Sequence, residues 1–320
     1  MPGRILVIRG GALGDFILTL PAIGLLREGF PDCRLEILGY RHIAALAEGR
    51  YYANATRSIE YGPLAGFFHP NGSLDSALCE YFASFEQVIS YLYDPDGLFA
   101  GALRRAGVQN LISASPKITG DEHAACQLAR PLEQLAVWLD DPAAHLFPSA
   151  ADHLAAQAIL TNLPQPHVAI HPGSGSETKN WPLERWLEVQ RQLLDDTRVG
   201  QLLVIGGESD SRQLSRMKLR KPAERQTILE SLPLPVLGAV LSRCALFVGH
   251  DSGISHLAAA AGVPCLLLFG PTKPDVWAPA NDAVVVLKSP DGQLSNLETR
   301  IVVAGINEML ANVPRNHRRR

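Results

Sequence analysis

V-G-H-D-S-G-I-S-H-L-A-A-A-A-G-V-P-C-L-L-L-F-G-P-T, residues 248–272, decides the fold. It reads as the end of a buried strand (Ala245–Gly249), a polar elbow, a short Ala-rich helix and a second buried strand (Cys265–Phe269). Ser252 is placed to cap the helix at its start and Gly262 at its end. In a parallel sheet such an elbow lies beyond the carboxyl end of the strand, where open α/β sheets bind ligands. The free N–H groups and positive dipole end of the helix face that ligand. Asp251, Ser252, Gly253 and His256 bring polar chemistry to the same place.

The same grammar recurs on both sides. Arg4–Arg9 (R-I-L-V-I-R) predicts a strand, Gly10–Asp15 a glycine-rich turn and Phe16–Glu28 a helix that Pro21 should kink or break. A strand at Arg34–Leu38 completes a β-α-β opening. Less distinct units follow: Ile59 in a strand, Leu74–Ala83 and Leu98–Ala106 as helices, Gln87–Leu92 and Asn110–Ile112 as strands. Gly62–Ser73 reads as a loop, either a lid or a surface excursion. Glu122–Leu139 is helical with an interruption at Pro131. Four prolines between 142 and 166 mark the domain boundary, giving domains 1–150 and 151–320. Beyond it, strand His167–His171, helix Trp181–Asp195 capped by Asn180, strand Gln201–Gly206 and helix Asp210–Arg220 lead through Thr227–Leu229 and Leu234–Arg243 to the elbow. Asn296–Asn312 is the final helix.

Three further stretches carry chemistry. G-G-A-L-G-D at 10–15 lacks the G-x-G-x-x-G spacing of a dinucleotide fingerprint. Its Asp15 is either a helix cap or a general base aimed into a cleft. H-P-G-S-G-S-E-T-K-N-W-P at 171–182 combines accessible backbone N–H groups, the hydroxyls of Ser174, Ser176 and Thr178, and Lys179 just before a helix. That set suits a phosphate, although it is not a Walker A loop. G-G-E-S-D at 206–210 places Glu208 at a strand end, where it caps a helix or contacts a ribose.

Composition bounds the rest. A content of 47% hydrophobic and 19% charged residues fits a globular chain with a large core, and a net charge of −3 argues against a nucleic-acid partner. Five scattered cysteines without C-x-x-C spacing point to a reducing compartment rather than disulfides or zinc. No long uncharged span free of helix breakers occurs, and Arg9 and Asp15 spoil the first apolar run as a signal peptide. A chain of the cytoplasm is expected. The basic tail, residues 315–320, is either a frayed terminus or a weak contact to the inner face of an anionic membrane, at about 1 kcal/mol per basic residue.

Together these stretches resemble glycosyltransferase family 9, the ADP-heptose:lipopolysaccharide heptosyltransferases. G-A-L-G-D-F-I-L-T-L-P-A-I at 11–23 is similar to the family's opening, 171–186 to its phosphate loop, and 246–264 followed by L-F-G-P-T to its donor signature. Residues 40–145 match poorly and are expected to choose the acceptor. The resemblance implies a GT-B fold: two Rossmann-like α/β domains with parallel sheets facing an interdomain cleft, acceptor on the N-terminal domain and nucleotide sugar on the C-terminal one. It implies an inverting transfer of a heptose or similar sugar from an ADP-sugar to a lipopolysaccharide core or related glycan, without an essential metal or other cofactor. Asp15 then corresponds to the catalytic base. Ser174, Thr178, Lys179, Glu208, Asp251, Ser252, Gly253 and His256 correspond to donor contacts, and Gly11, Gly14 and His123 are acceptor-side candidates. Ser252 stands where many relatives carry threonine, and His250 is an unusual neighbour. A transferase with another nucleotide sugar, a sugar-nucleotide epimerase on the same scaffold, and a non-catalytic nucleotide-sugar binder are the alternatives. A binder has no need of a base at Asp15.

Overall fold

Ile5, Leu6, Val7 and Ile8 are all buried, the unbroken apolar run that a central parallel strand requires because helices cover both of its faces. In the computed structural model, which describes residues 3–207, 210–218 and 225–312, they lie in β1 (Arg4–Arg9). With β2 (Arg34–Gly39), β3 (Ala55–Ser58), β4 (Gln87–Ser90) and β5 (Leu111–Ser113) it forms a five-stranded sheet of order β3-β2-β1-β4-β5, every pair parallel. Around it stand α1 (Leu13–Gly29), α2 (Arg41–Ala44), α3 (Ser76–Ala83), α4 (Leu98–Arg105) and α5 (Ala124–Ala129). A second sheet holds β6 (His167–Ile170), β7 (Gln201–Gly206), β8 (Gln226–Glu230), β9 (Leu246–His250), β10 (Cys265–Phe269) and β11 (Val284–Lys288). Its order is β11-β10-β9-β6-β7-β8, again all parallel. Its helices are α6 (Ala150–Leu160), α7 (Leu183–Asp195), α8 (Ser211–Met217), α9 (Leu234–Leu241), α10 (Gly253–Ala260), α11 (Pro274–Trp277) and α12 (Thr299–Asn312).

Strand order fixes where ligands can bind. In the first sheet the chain runs outward from β1 through β2 to β3, then returns to the other side of β1 with β4. In the second it runs from β6 through β7 to β8, then returns beside β6 with β9. Each reversal opens a crevice beyond the carboxyl ends of the two strands that flank it. The loops at those ends are 10–12 after β1, 171–182 after β6 and 251–252 after β9.

Several expectations from sequence are corrected. α1 begins at Leu13, so Asp15 lies inside the helix rather than in the turn before it. Pro21 neither breaks nor ends α1, because buried residues on both sides of it (Ile17, Leu18 and Leu20, then Ala22, Ile23 and Leu26) hold the helix against its surroundings. That packing outweighs a proline penalty of about 3 kcal/mol. Ile59 lies just past β3. Residues 62–73 are no free lid: Gly62–Phe68 forms a 3-10 helix whose Leu64 and Phe67 enter the core of the first unit beside Phe82 and Phe99. Phe68 stacks on Phe99 with ring centroids 4.7 Å apart. Pro182, not Asn180, precedes α7 at the cap position. The helix expected over Asp210–Arg220 covers Ser211–Met217, and residues 219–224 lie outside the described residues.

The chain divides into two compact units, Met1–Pro142 and Ala143–Arg320. The division falls a few residues before the expected 150/151 boundary. The Leu146 amide donates to Ala260 O at 2.8 Å, and Asn281 Nδ2 to Ala144 O at 2.9 Å, so residues from 143 onward are hydrogen-bonded into the second unit.

Candidate donor and base sites

β1 ends on Arg9, a buried guanidinium only 3% exposed. Its Nε donates to Thr19 Oγ1 at 2.9 Å and its Nη2 to Asp15 O at 3.1 Å; Nη2 also stands 3.8 Å from Asp15 Oδ1. Burial lowers the Arg9 pKa, while Asp15 and Tyr91 pull it the other way. Asp15 Oδ2 accepts the Ala12 N–H at 2.9 Å. The carboxylate therefore does cap α1. Yet its side chain stays 40% exposed, so it can also meet a solvent-side group. Gly11 makes this geometry possible. Its φ is +89°, and a Cβ there would stand 2.8 Å from Asp15 Oδ2. Gly14 lies in the first turn of α1 beside Asp15. His123 follows β5 in the chain and caps α5, its Nδ1 accepting the Ala125 N–H at 3.3 Å.

The second crevice gathers more. Ser252 is the N-cap of α10, its Oγ accepting the Ser255 N–H at 3.3 Å, and Gly262 follows the helix with φ +81°. Gly253 opens the helix and His256 is buried one turn into it. Asp251, 8% exposed, accepts from Lys179 Nζ at 2.7 Å and from Thr272 Oγ1 at 2.7 Å. Lys179 is thus anchored across the crevice. In the same loop Ser174 Oγ donates to Ser176 O at 2.8 Å, and the Ser176 and Thr178 hydroxyls are 2.9 Å apart. Glu208 lies outside the described residues.

Three residues that sequence reasoning did not select complete the crevice. Asp210, 5% exposed, accepts the Gly207 N–H at 2.8 Å and lies 3.3 Å from His171 Nε2. Burial would raise its pKa, but hydrogen bonds from His171 and the Gly207 N–H outweigh that and hold it below the ordinary carboxylate value. His171 Nδ1 stands 3.5 Å from Ser252 Oγ, which links the end of β6 to the cap of α10. His250, fully buried, accepts at Nε2 from the Trp181 N–H (2.9 Å) and from Trp186 Nε1 (3.1 Å). Burial, with help from His171, pushes its pKa down to about 3 against the opposing pull of the Gly173 carbonyl, Asp210 and Asp251. The signal for these residues was their position at or next to strand ends, H-P-G after β6 and G-H-D at the end of β9.

A cation, several hydroxyls and a helix N-terminus at one topological switch point can hold an anion such as a diphosphate. A half-exposed carboxylate at the switch point of the other sheet can take a proton. Among the described residues no three His, Cys, Asp or Glu side chains cluster as a metal site, and no helix is long and apolar enough to cross a membrane.

Known proteins resemble this chain in sequence and in fold. The family model for glycosyltransferase family 9 (heptosyltransferase) matches residues 71–302. Lipopolysaccharide heptosyltransferase 1 of Escherichia coli O18:K1:H7 is 31% identical over 164 residues, 49% of this chain and 48% of that protein. The match thus spans about half the length of that curated relative. A glycosyl transferase family 9 structure from Veillonella parvula superposes with a TM-score of 0.80 at 19% identity, covering 97% of both chains. The E. coli heptosyltransferase WaaC with ADP superposes at 0.70 with 20% identity, over 96% of this chain and 99% of that one. At such identities these structures establish the fold.

Proposed function

Because this chain belongs to glycosyltransferase family 9, we propose that it transfers a heptose or similar sugar from an ADP-sugar to a hydroxyl of a lipopolysaccharide core or related glycan. The observation that carries the reading is the anchored Lys179–Asp251–Thr272 cluster beside the capped N-terminus of α10. It suits a nucleotide diphosphate whose negative charge grows as the sugar departs. The E. coli relative whose structure holds ADP supports the choice of nucleotide.

In the proposed reaction Asp15 takes the proton of the attacking hydroxyl. The acceptor oxygen bonds to the anomeric carbon from the face opposite the diphosphate, the carbon–phosphate-oxygen bond breaks, and ADP leaves with the bonding pair. The product has inverted configuration. Lys179 and the free N–H groups at the start of α10 stabilise the leaving charge where it develops. Ser174, Thr178, Ser252 and Gly253 supply hydroxyls and N–H groups to the diphosphate, Asp251 holds Lys179 in place, and Glu208 and His256 contact ribose or sugar. Gly11 and Gly14 keep the acceptor side of Asp15 open, and His123 belongs to the acceptor side. The N-terminal unit is assigned to acceptor binding and the C-terminal unit to the donor. We assign the reaction to the cytoplasm, in keeping with five cysteines that are all unpaired, with the basic tail touching the inner membrane face.

A thermal-shift screen against ADP-, UDP-, GDP- and dTDP-sugars tests the donor class. A ligand at 100 times its dissociation constant adds about 2.7 kcal/mol of stability. ADP-sugars should raise the melting temperature most, and transfer to a heptose-free core should continue in EDTA. Preference for another nucleotide, release of free epimerised sugar without an acceptor, or binding with no transfer to any acceptor would each overturn the proposal in a different way.

A further inference from the structure

His250 is buried at the end of β9 and takes no part in the proposed chemistry, yet it makes three directed contacts to one loop and the helix after it. Its Nε2 faces two groups that can only donate, the Trp181 backbone N–H at 2.9 Å and the Trp186 indole Nε1–H at 3.1 Å. That nitrogen must therefore carry the lone pair, and the ring proton sits on Nδ1. Nδ1 lies 3.3 Å from Gly173 O, a group that can only accept. One neutral tautomer satisfies all three partners, and the imidazolium would set an N–H against two N–H groups. Gly173 and Trp181 are close to the two ends of the 171–182 loop. Between them lie Ser174, Thr178 and Lys179. The next residue, Asp251, holds Lys179 Nζ. Two consecutive residues of the elbow thus fix the loop at its beginning, at its cation and at its end. The fully buried Trp186 ring, edge-on to the imidazole with centroids 5.2 Å apart, keeps the ring from turning.

We infer that His250 is the positioning residue of the diphosphate loop: the lone pair of its single tautomer holds the Trp181 end of the loop, the contact that chiefly sets where Lys179 stands at the elbow, and the Gly173 contact is secondary. The ligand named here rests on the ADP-sugar reading; the clamp itself rests on hydrogen bonds within the chain.

The test uses the full chain, wild type and three variants. His250→Gln keeps an acceptor for the Trp181 N–H, His250→Asn keeps only a donor toward Gly173, and His250→Leu keeps neither. Amide exchange at Trp181 is measured without nucleotide, ADP affinity by calorimetry, and melting temperature alongside. Expected is exchange at Trp181 at least tenfold faster and ADP binding at least tenfold weaker in His250→Leu, with both within about threefold of wild type in His250→Gln. Should His250→Leu fail to fold, His250→Asn, which loses the Trp181 acceptor, must show the same exchange and affinity losses. Wild-type exchange and ADP affinity in the Leu or Asn variant overturns the inference. So does an equal loss in all variants that merely follows melting temperature. If wild type itself does not bind ADP, the donor reading fails, and Trp181 exchange alone decides the clamp by the same criterion.

Discussion

Lowering the pH should destabilise the second unit through His250, and the structure sets the amount. The ring is fully buried and its pKa is pushed down to about 3, from an ordinary value of 6.5. The unfolded chain therefore binds a proton between pH 6.5 and 3 that the folded chain refuses. Stability rises with pH wherever the unfolded state holds more protons. The His250 contribution is thus whole above pH 6.5 and is lost progressively as pH falls toward 3. Each pH unit within the window is about 1.4 kcal/mol, so at pH 5.0 the loss relative to pH 7.5 is about 2 kcal/mol. His171, Asp210 and Asp251 also face this ring and act on its charge. Replacing His250 by glutamine removes the imidazole titration along with the Nδ1–Gly173 contact, and since that contact does not titrate, the difference in pH dependence between wild type and His250→Gln reports the imidazole. Urea unfolding at pH 7.5 and 5.0, followed by tryptophan fluorescence, makes the measurement, since the Trp186 ring lies edge-on to the imidazole and the Trp181 ring edge-on to Trp186. Wild type should lose about 2 kcal/mol more than the variant across this interval. Equal losses within about 0.5 kcal/mol would refute a neutral, buried His250.

Lys179→Ala should weaken ADP binding about tenfold, the lower end of a charge-assisted contact of about 1.5–3 kcal/mol, because the lysine is 32% exposed. Unchanged ADP affinity by calorimetry would remove Lys179 from the donor site. Gly173→Ala places a Cβ 1.9 Å from Asp210 Oδ1, a carboxylate held by His171 and the Gly207 N–H. It should cost about 1–3 kcal/mol and lower the melting temperature by several degrees. Gly175→Ala meets nothing within 4 Å and should change stability by less than about 1 kcal/mol; similar melting of the two variants would contradict the packing described at Asp210.

Much of this molecule is legible in its sequence because parallel strands buried on both faces announce themselves as apolar runs. R-I-L-V-I-R, Q-L-L-V-I-G and C-L-L-L-F coincide with β1, β7 and β10. β11 escaped notice because V-V-V-L-K lies at a sheet edge and is only partly buried, with Val285 44% exposed. Pro21 and Gly62–Phe68 misled for a shared reason. Local breaker signals predicted a kink or break at Pro21 and a loop at 62–73; α1 runs unbroken through Pro21, and Gly62–Phe68 forms a 3-10 helix with Leu64 and Phe67 buried. At the proposed donor crevice the sequence pointed to Lys179, Asp251 and Ser252 as contacts to one ligand. It did not show that Asp251 holds Lys179, 72 residues away, nor that His250 reaches Gly173, 77 residues away. Such pairings depend on β6 lying beside β9, which no local pattern encodes.

The central claim is that an ADP-sugar is consumed by base-assisted transfer, with Asp15 as the base. The most direct measurement compares wild type with Asp15→Asn for turnover of ADP-heptose with a heptose-free lipopolysaccharide core, beside ADP affinity by calorimetry. A general base contributes about 10²–10⁴-fold, and Asp15 lies in the N-terminal unit whereas the Lys179–Asp251 cluster lies in the C-terminal one. The account predicts that Asp15→Asn lowers turnover by about 10²–10⁴-fold while ADP affinity stays within about twofold. Near-full turnover by Asp15→Asn, or no transfer by the wild-type chain, would contradict it.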